Sequence, residues 1–133
     1  MHLQYVENPK ITVDEVAALR IAVAWDSRKE KLEKIIGSTY LTVACFSGNN
    51  LVGLVDVISD GVDDAFIRNL VVHPDYQKHG IALRMLRMAA ERIKKDKIKT
   101  ANVLFEPELT DLYRRAGFRI VSGGMIDNEV EEL

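Results

Sequence analysis

The sequence predicts a mixed α/β domain: one central, mainly antiparallel sheet with helices on both faces. Three observations carry this reading. Between Tyr40 and Val72, three runs rich in β-forming residues are separated only by short turns, which makes a meander of neighbouring strands. From Gly80 to Lys95 the apolar residues recur at spacings of three and four, the pattern of one buried helix face. Shorter helical segments precede and follow these, so the order reads β-α-α-β-β-β-α-β-α-β, a mixed α/β domain with helices packed on one central sheet.

Each element has a local reason. Leu3 to Val6 reads as a short first strand. Thr12-Val-Asp-Glu15 is a capping box, a threonine followed three residues later by glutamate, and opens a helix whose apolar side is Val16, Leu19 and Val23. That helix ends at Trp25 or Asp26, and a more polar one runs from Ser27 to Ile36 and stops at Gly37. Tyr40 to Phe46 is a strand, Ser47-Gly-Asn-Asn50 a turn, and Leu51 to Ile58 the returning strand of a hairpin. The turn from Ser59 to Asp64 leads into a third strand of the meander, Ala65 to Val72. In the long helix Ala82, Met85, Leu86, Ala89 and Ile93 form the buried side, with Arg84, Arg87, Glu91, Lys94 and Lys95 opposite. Lys99 to Phe105 is a further strand, Glu108 to Ala116 a short helix stopped by Gly117, and Phe118 to Val121 the start of a last strand.

Size and charge narrow the function. A chain of 133 residues suits one compact domain over residues 1–133, large enough to bury a core without metals or cross-links. Eighteen basic residues against twenty acidic ones leave no sequence-independent grip on nucleic acid, because such binding rests on phosphate neutralisation. The one cysteine, Cys45, excludes an intramolecular disulfide and reads as a small buried hydrophobe. No metal is expected: His73 and His79 are six apart without a third ligand nearby, and Asp60, Asp63 and Asp64 miss the twelve-residue calcium pattern. With neither a signal-like N-terminus nor an apolar run of membrane-spanning length, a cytoplasmic location without membrane contact is expected.

The informative stretch is Val72-His-Pro-Asp-Tyr-Gln-Lys-His-Gly-Ile-Ala82, between a strand and the periodic helix. A helix N-terminus fed by a glycine-containing loop presents unpaired N–H groups and the positive end of the helix dipole, a site for phosphate. Lys78 and His79 add positive or polar side chains, while Arg84 in the first helical turn opposes the dipole and would be relieved by a bound anion. Neither GxxxxGK[ST] nor GxGxxG is present, and a loop leaving an antiparallel meander suits neither motif.

Gln77-Lys-His-Gly80-Ile-Ala82 resembles the Q/R-x-x-G-x-G/A loop of the GNAT superfamily of acyl-CoA-dependent N-acetyltransferases, and Leu70-Val-Val-His-Pro74 resembles that family's strand-to-loop signature. Leu112-Tyr113-Arg-Arg-Ala-Gly117-Phe118 is similar to its LYxxxGF motif, about thirty residues downstream in the right order. The resemblance covers nearly the whole chain and implies a GNAT-like fold and an acetyl-CoA co-substrate. It implies that the amides of Gln77, Lys78, His79, Gly80, Ile81 and Ala82 cradle the pyrophosphate. Leu70, Val71 and Val72 would pair with the pantetheine arm as an added strand, with the Val72 amide polarising the thioester carbonyl, and Tyr113 would face the sulfur. Where many members carry an asparagine seven residues before the tyrosine, this chain has Glu106, followed by Pro107.

The expected reaction is acetyl transfer to an amine by direct attack in a ternary complex, the alternative being an acyl-CoA-binding sensor without efficient turnover. The acceptor, a small-molecule or peptide amine, is expected beside the first two helices near Trp25 and Asp26. Asp56, Asn69 acting through water, and solvent are all open as its base, and a homodimer is left open.

Overall fold

The computed structural model describes residues 2–129. The chain forms β1 (Leu3–Glu7), α1 (Val13–Ala22), α2 (Lys29–Ile35), β2 (Leu41–Ser47), β3 (Asn50–Ser59), β4 (Asp64–Val72), α3 (Ile81–Lys95), β5 (Thr100–Val103) and α4 (Thr110–Arg115), with 3-10 turns at Pro74–Tyr76 and Pro107–Leu109. The five strands lie in sequence order in one sheet, antiparallel from β1 to β4 and parallel between β4 and β5.

Strand alternation builds two cores from one sheet. Leu41, Val43 and Cys45 of β2, with Val55 and Val57 of β3, face α3 and pack on Ile81, Met85, Leu86, Ala89 and Ile93. Ala44, Leu54 and Val71 point the other way and meet Val16, Ala17 and Leu19 of α1 and Leu32 of α2. The capping box forms as the sequence requires: the Glu15 N–H donates to Thr12 Oγ1, and the Thr12 N–H donates to Glu15 Oε1, each at 3.1 Å. Cys45 is fully buried, and burial pushes its thiol pKa up, against reactivity.

Two local features position the site. In β4 the register with β3 slips by one residue between the Asp56–Arg68 and Leu54–Val71 pairs, and Asn69 takes a φ of 57°. Ala65 and Ile67 face α3 before this bulge and Val72 faces it afterwards, so the extra residue flips the strand's parity. At Gly53 an added Cβ would lie 3.1 Å from Ile81 Cγ2 and from Met85 Cε, so the first turns of α3 rest directly on the β3 backbone. Gly53→Val is therefore expected to lower stability by about 1–3 kcal/mol through overpacking, read by denaturant titration, and to displace the N-terminus of α3.

The final strand expected at Phe118–Val121 does not form. After Ala116, residues 118–127 carry no regular structure. The β-forming residues are present, but among the described residues they pair with no strand and leave the outer edge of β5 open: Phe118 is spent edge-on against Tyr113, and Ile120 and Val121 are 38% and 72% exposed. The segment passes the end of β5, where a Cβ on Gly123 would lie 2.6 Å from Leu104 Cδ2. Glu129 then pairs with Arg28 at 2.8 Å and with Lys31, at α2.

Candidate active site

The β4–β5 ladder ends at the Ile67–Val103 pair, whereas β4 itself continues to Val72. Residues 68–72 therefore present an edge to an opening between the two strands. The His73 N–H donates to the Val52 carbonyl of β3 at 2.8 Å, so the Val72 amide, one residue earlier, points the other way, into that opening. The Val72 carbonyl confirms the direction, since it accepts from Gln77 Nε2 at 3.0 Å.

At the wide end stands the loop into α3. His73 Nδ1 accepts from the Asp75 N–H at 3.1 Å and starts the 3-10 turn. Lys78 and Gly80 both adopt left-handed backbone, with φ of 65° and 79°. The glycine is needed for that conformation alone, because a Cβ there would meet nothing within 4 Å. Gly80 is the N-cap of α3 and offers no side-chain cap, and the first turn carries no acidic residue. Among the described residues, the leading N–H groups of this fifteen-residue helix thus have no protein partner and stand beside open space. Lys78 and His79 are exposed around it, whereas the Ile81 side chain is buried and anchors the helix. Arg84 does not face the loop: its guanidinium lies 4.8 Å above the Tyr5 ring, in a groove it shares with Glu7 and Arg87.

Tyr113 sits near the narrow end, on the α3 face. Its residue is 3% exposed, its ring stacks on Phe105 at 4.4 Å, and Phe118 meets it edge-on at 5.6 Å. Phe105 lies two residues beyond the last residue of β5, so the clamp holds the phenol beside the point where the strands part. Burial pushes the Tyr113 pKa above its ordinary value, keeping the hydroxyl protonated at neutral pH.

On the opposite face, α1 and α2 leave a cleft of about 250 Å³ against the sheet. Ile11, Val16, Leu32, Ile35 and Ile36 form its apolar side, and Thr42 and Asp56 its polar floor. Asp56 Oδ1 accepts from Thr42 Oγ1 at 3.1 Å, and Asn8 Oδ1 holds the Thr42 N–H at 2.9 Å. Desolvation pushes the Asp56 pKa up, opposed by the Thr42 hydroxyl, by Arg68 across the strand and by Asn69. Arg68 Nε is buried without a hydrogen-bond partner among the described residues.

Trp25 and Asp26, the expected acceptor wall, do not line this cleft. They serve the α1–α2 connection: the Arg20 guanidinium lies 5.0 Å above the Trp25 ring and its Nε donates to the Asp26 carbonyl at 2.7 Å. The cleft, the bulge and the depth of the β4–β5 opening were missed in the sequence. One signal was available for the bulge, because apolar alternation at Ala65 and Ile67 breaks at Asn69 and resumes at Leu70 and Val72. Among the described residues, no group of three His, Cys, Asp or Glu could hold a metal, and no helix is long and apolar enough to cross a membrane.

The fold is a five-stranded sheet covered by helices on both faces, whose fourth and fifth strands part beside a helix N-terminus with no side-chain cap. The chain belongs to the GNAT acetyltransferase family, whose domain model matches residues 9–131. Among curated proteins it is similar to an uncharacterised N-acetyltransferase, ycf52, of Gracilaria tenuistipitata var. liui, at 26% identity over 84% of this chain and 64% of the relative. The chain spans 64–69% of the length of the curated relatives it matches. Among solved structures, a protein of unknown function from meticillin-resistant Staphylococcus aureus superposes with a TM-score of 0.87 at 22% identity, covering 96% of this chain and 99% of that one. An aminoglycoside 6'-N-acetyltransferase complexed with coenzyme A superposes with a TM-score of 0.72 at 18% identity, covering 92% and 87%. Both structures share the fold.

Proposed function

We propose that the protein transfers an acetyl group from acetyl-CoA to an amine by direct attack within a ternary complex. The observation that carries this reading is the opening beside residues 68–72 of β4, with uncapped helix N–H groups at its wide end and a clamped phenol near its apex. That arrangement fits a long ligand with a phosphate at one end and a reactive thioester at the other. Amides of Gln77 through Ala82 hold the pyrophosphate, and the main chain of Leu70, Val71 and Val72 borders the pantetheine arm as an added strand would.

The polarising amide is better assigned to Leu70 than to Val72. The opening begins just after Ile67, and Leu70, which shares Val72's parity, lies two residues nearer to that apex. Tyr113 donates a hydrogen bond to the departing sulfur. A phenol near pKa 10 gives its proton to a thiolate near 8.5 only uphill, by about 2 kcal/mol, and burial adds to that cost. The hydroxyl therefore stabilises developing charge first and exchanges its proton afterwards with solvent.

Binding is tested by thermal unfolding with CoA. At a hundred times its dissociation constant, CoA is expected to stabilise the fold by about 2.7 kcal/mol. A wild-type unfolding curve unmoved by millimolar CoA would remove the donor half of the proposal.

A further inference from the structure

We propose that the cleft beneath α1 and α2 receives the acceptor as a compact aliphatic primary amine, and that Asp56 binds its ammonium group and takes its proton. This inference rests on the acetyl-transfer reading above and adds to it the identity of the base and the class of acceptor.

Position is the first argument. Asp56 pairs in register with Arg68, the residue immediately after the last β4–β5 pair, so it stands one strand away from the apex of the opening. Its side chain lies on the α1–α2 face, in the cleft, whereas Tyr113 belongs to the core on the α3 face. Base and thiolate donor thus flank the apex from opposite sides of the sheet. A nucleophile entering from Asp56 and a thiol leaving toward Tyr113 suit the two faces of one thioester carbonyl.

Chemistry is the second. Among the described residues, Asp56 is the one titratable residue lining a cleft whose helical side is aliphatic. The groups that face it are the Thr42 hydroxyl of β2, the Arg68 guanidinium and the Asn69 amide of β4; α1, α2 and the residues flanking them contribute Ile11, Val16, Leu32, Ile35 and Ile36, which carry no charge. The Arg68 guanidinium offsets part of the Asp56 charge, yet among the described residues the carboxylate closes no ion pair, so at the floor of apolar walls it still favours a cation with an alkyl body. A volume of about 250 Å³ equals roughly eight water molecules, which matches an amine of about four to six carbons. Burial raises the carboxyl pKa, making Asp56 a better proton acceptor than an exposed aspartate.

The ammonium passes one proton to the Asp56 carboxylate, and the freed lone pair forms the C–N bond as the carbonyl π pair moves to oxygen. Collapse breaks the C–S bond with its electron pair on sulfur; the nitrogen loses its second proton, the thiolate gains one, and Asp56 returns its proton to solvent. The sum is ammonium plus acetyl-CoA giving acetamide, free thiol and one proton.

The test uses straight-chain primary amines from ethylamine to hexylamine as probes, with a lysine peptide alongside, and follows thiol release from pH 5 to 10. For the wild type, kcat/KM is expected to peak within the chain series and to form a plateau bounded below by Asp56 and above by the amine. Asp56→Asn is expected to lower it at pH 7 by about a hundred- to ten-thousandfold. The remaining rate should then climb about tenfold per pH unit, as only free amine reacts, while the CoA-induced thermal shift persists and shows that the variant folds. Thr42→Ala removes a hydrogen bond that holds the Asp56 pKa down, so the acidic limb should move to higher pH. Wild-type turnover with an unchanged pH profile in both variants overturns the inference and leaves the acetyl-transfer reading standing, and so does turnover with the lysine peptide alone. No amine-dependent thiol release by the wild type overturns both.

Discussion

Tyr113→Phe is expected to lower kcat by about ten- to a thousandfold, the range for one positioned donor or proton carrier. The change removes only the hydroxyl. The ring keeps its stack on Phe105 and its edge contact with Phe118, so folding and CoA affinity should stay within a few tenths of a kcal/mol. KM for the amine should likewise hold, because the phenol sits on the face away from the cleft under α1 and α2. The sign of the Tyr113 pKa shift adds a second readout. Burial raises it, so wild-type kcat should show no loss from phenol ionisation until pH exceeds about 10. Steady-state kinetics on both proteins checks this, and a wild-type rate in Tyr113→Phe would mean that solvent alone meets the leaving thiolate.

Gly80→Val is expected to abolish the CoA-induced thermal shift, a loss of up to about 2.7 kcal/mol of linked stabilisation at a hundredfold excess over the wild-type dissociation constant. The substitution acts twice. A β-branched residue resists the φ of 79° that turns the chain into α3, which costs on the order of 1–2 kcal/mol. Its side chain also enters the space that is empty beside the first N–H groups of the helix. The fold itself should survive, because α3 is held by Ile81, Met85, Leu86, Ala89 and Ile93 rather than by its cap. Calorimetry with CoA tests this, and a retained shift in a folded variant would relocate the phosphate.

Much of this architecture was legible because it rests on local patterns. The capping box at Thr12, the meander from Tyr40 to Val72 and the apolar stripe of α3 each depend on a few neighbouring residues, and each formed. The turn into α3 was legible for the same reason, since Gln77 to Ala82 makes its geometry from its own backbone. What escaped depends on pairing between distant segments. Phe118 to Val121 has the composition of a strand, yet a strand exists only with a partner, and sequence composition does not report one. Asp56 was one of three open candidates for the base, and its place beside Thr42 and Arg68 beneath α2 comes only from the pairing register. Trp25 was expected beside the acceptor because it lies at the connection of the first two helices, but its ring packs under the Arg20 guanidinium.

The central claim is amine-dependent acetyl transfer, and the measurement that meets it most directly is free-thiol release from acetyl-CoA across an amine panel, with the acetylated product identified by mass. The account predicts thiol release that requires both the protein and an amine, one acetamide formed per thiol, and a rate that rises with pH toward neutrality. Tight CoA binding with no thiol release above background for any amine would contradict it, and would make the domain a sensor of acyl-CoA rather than a transferase.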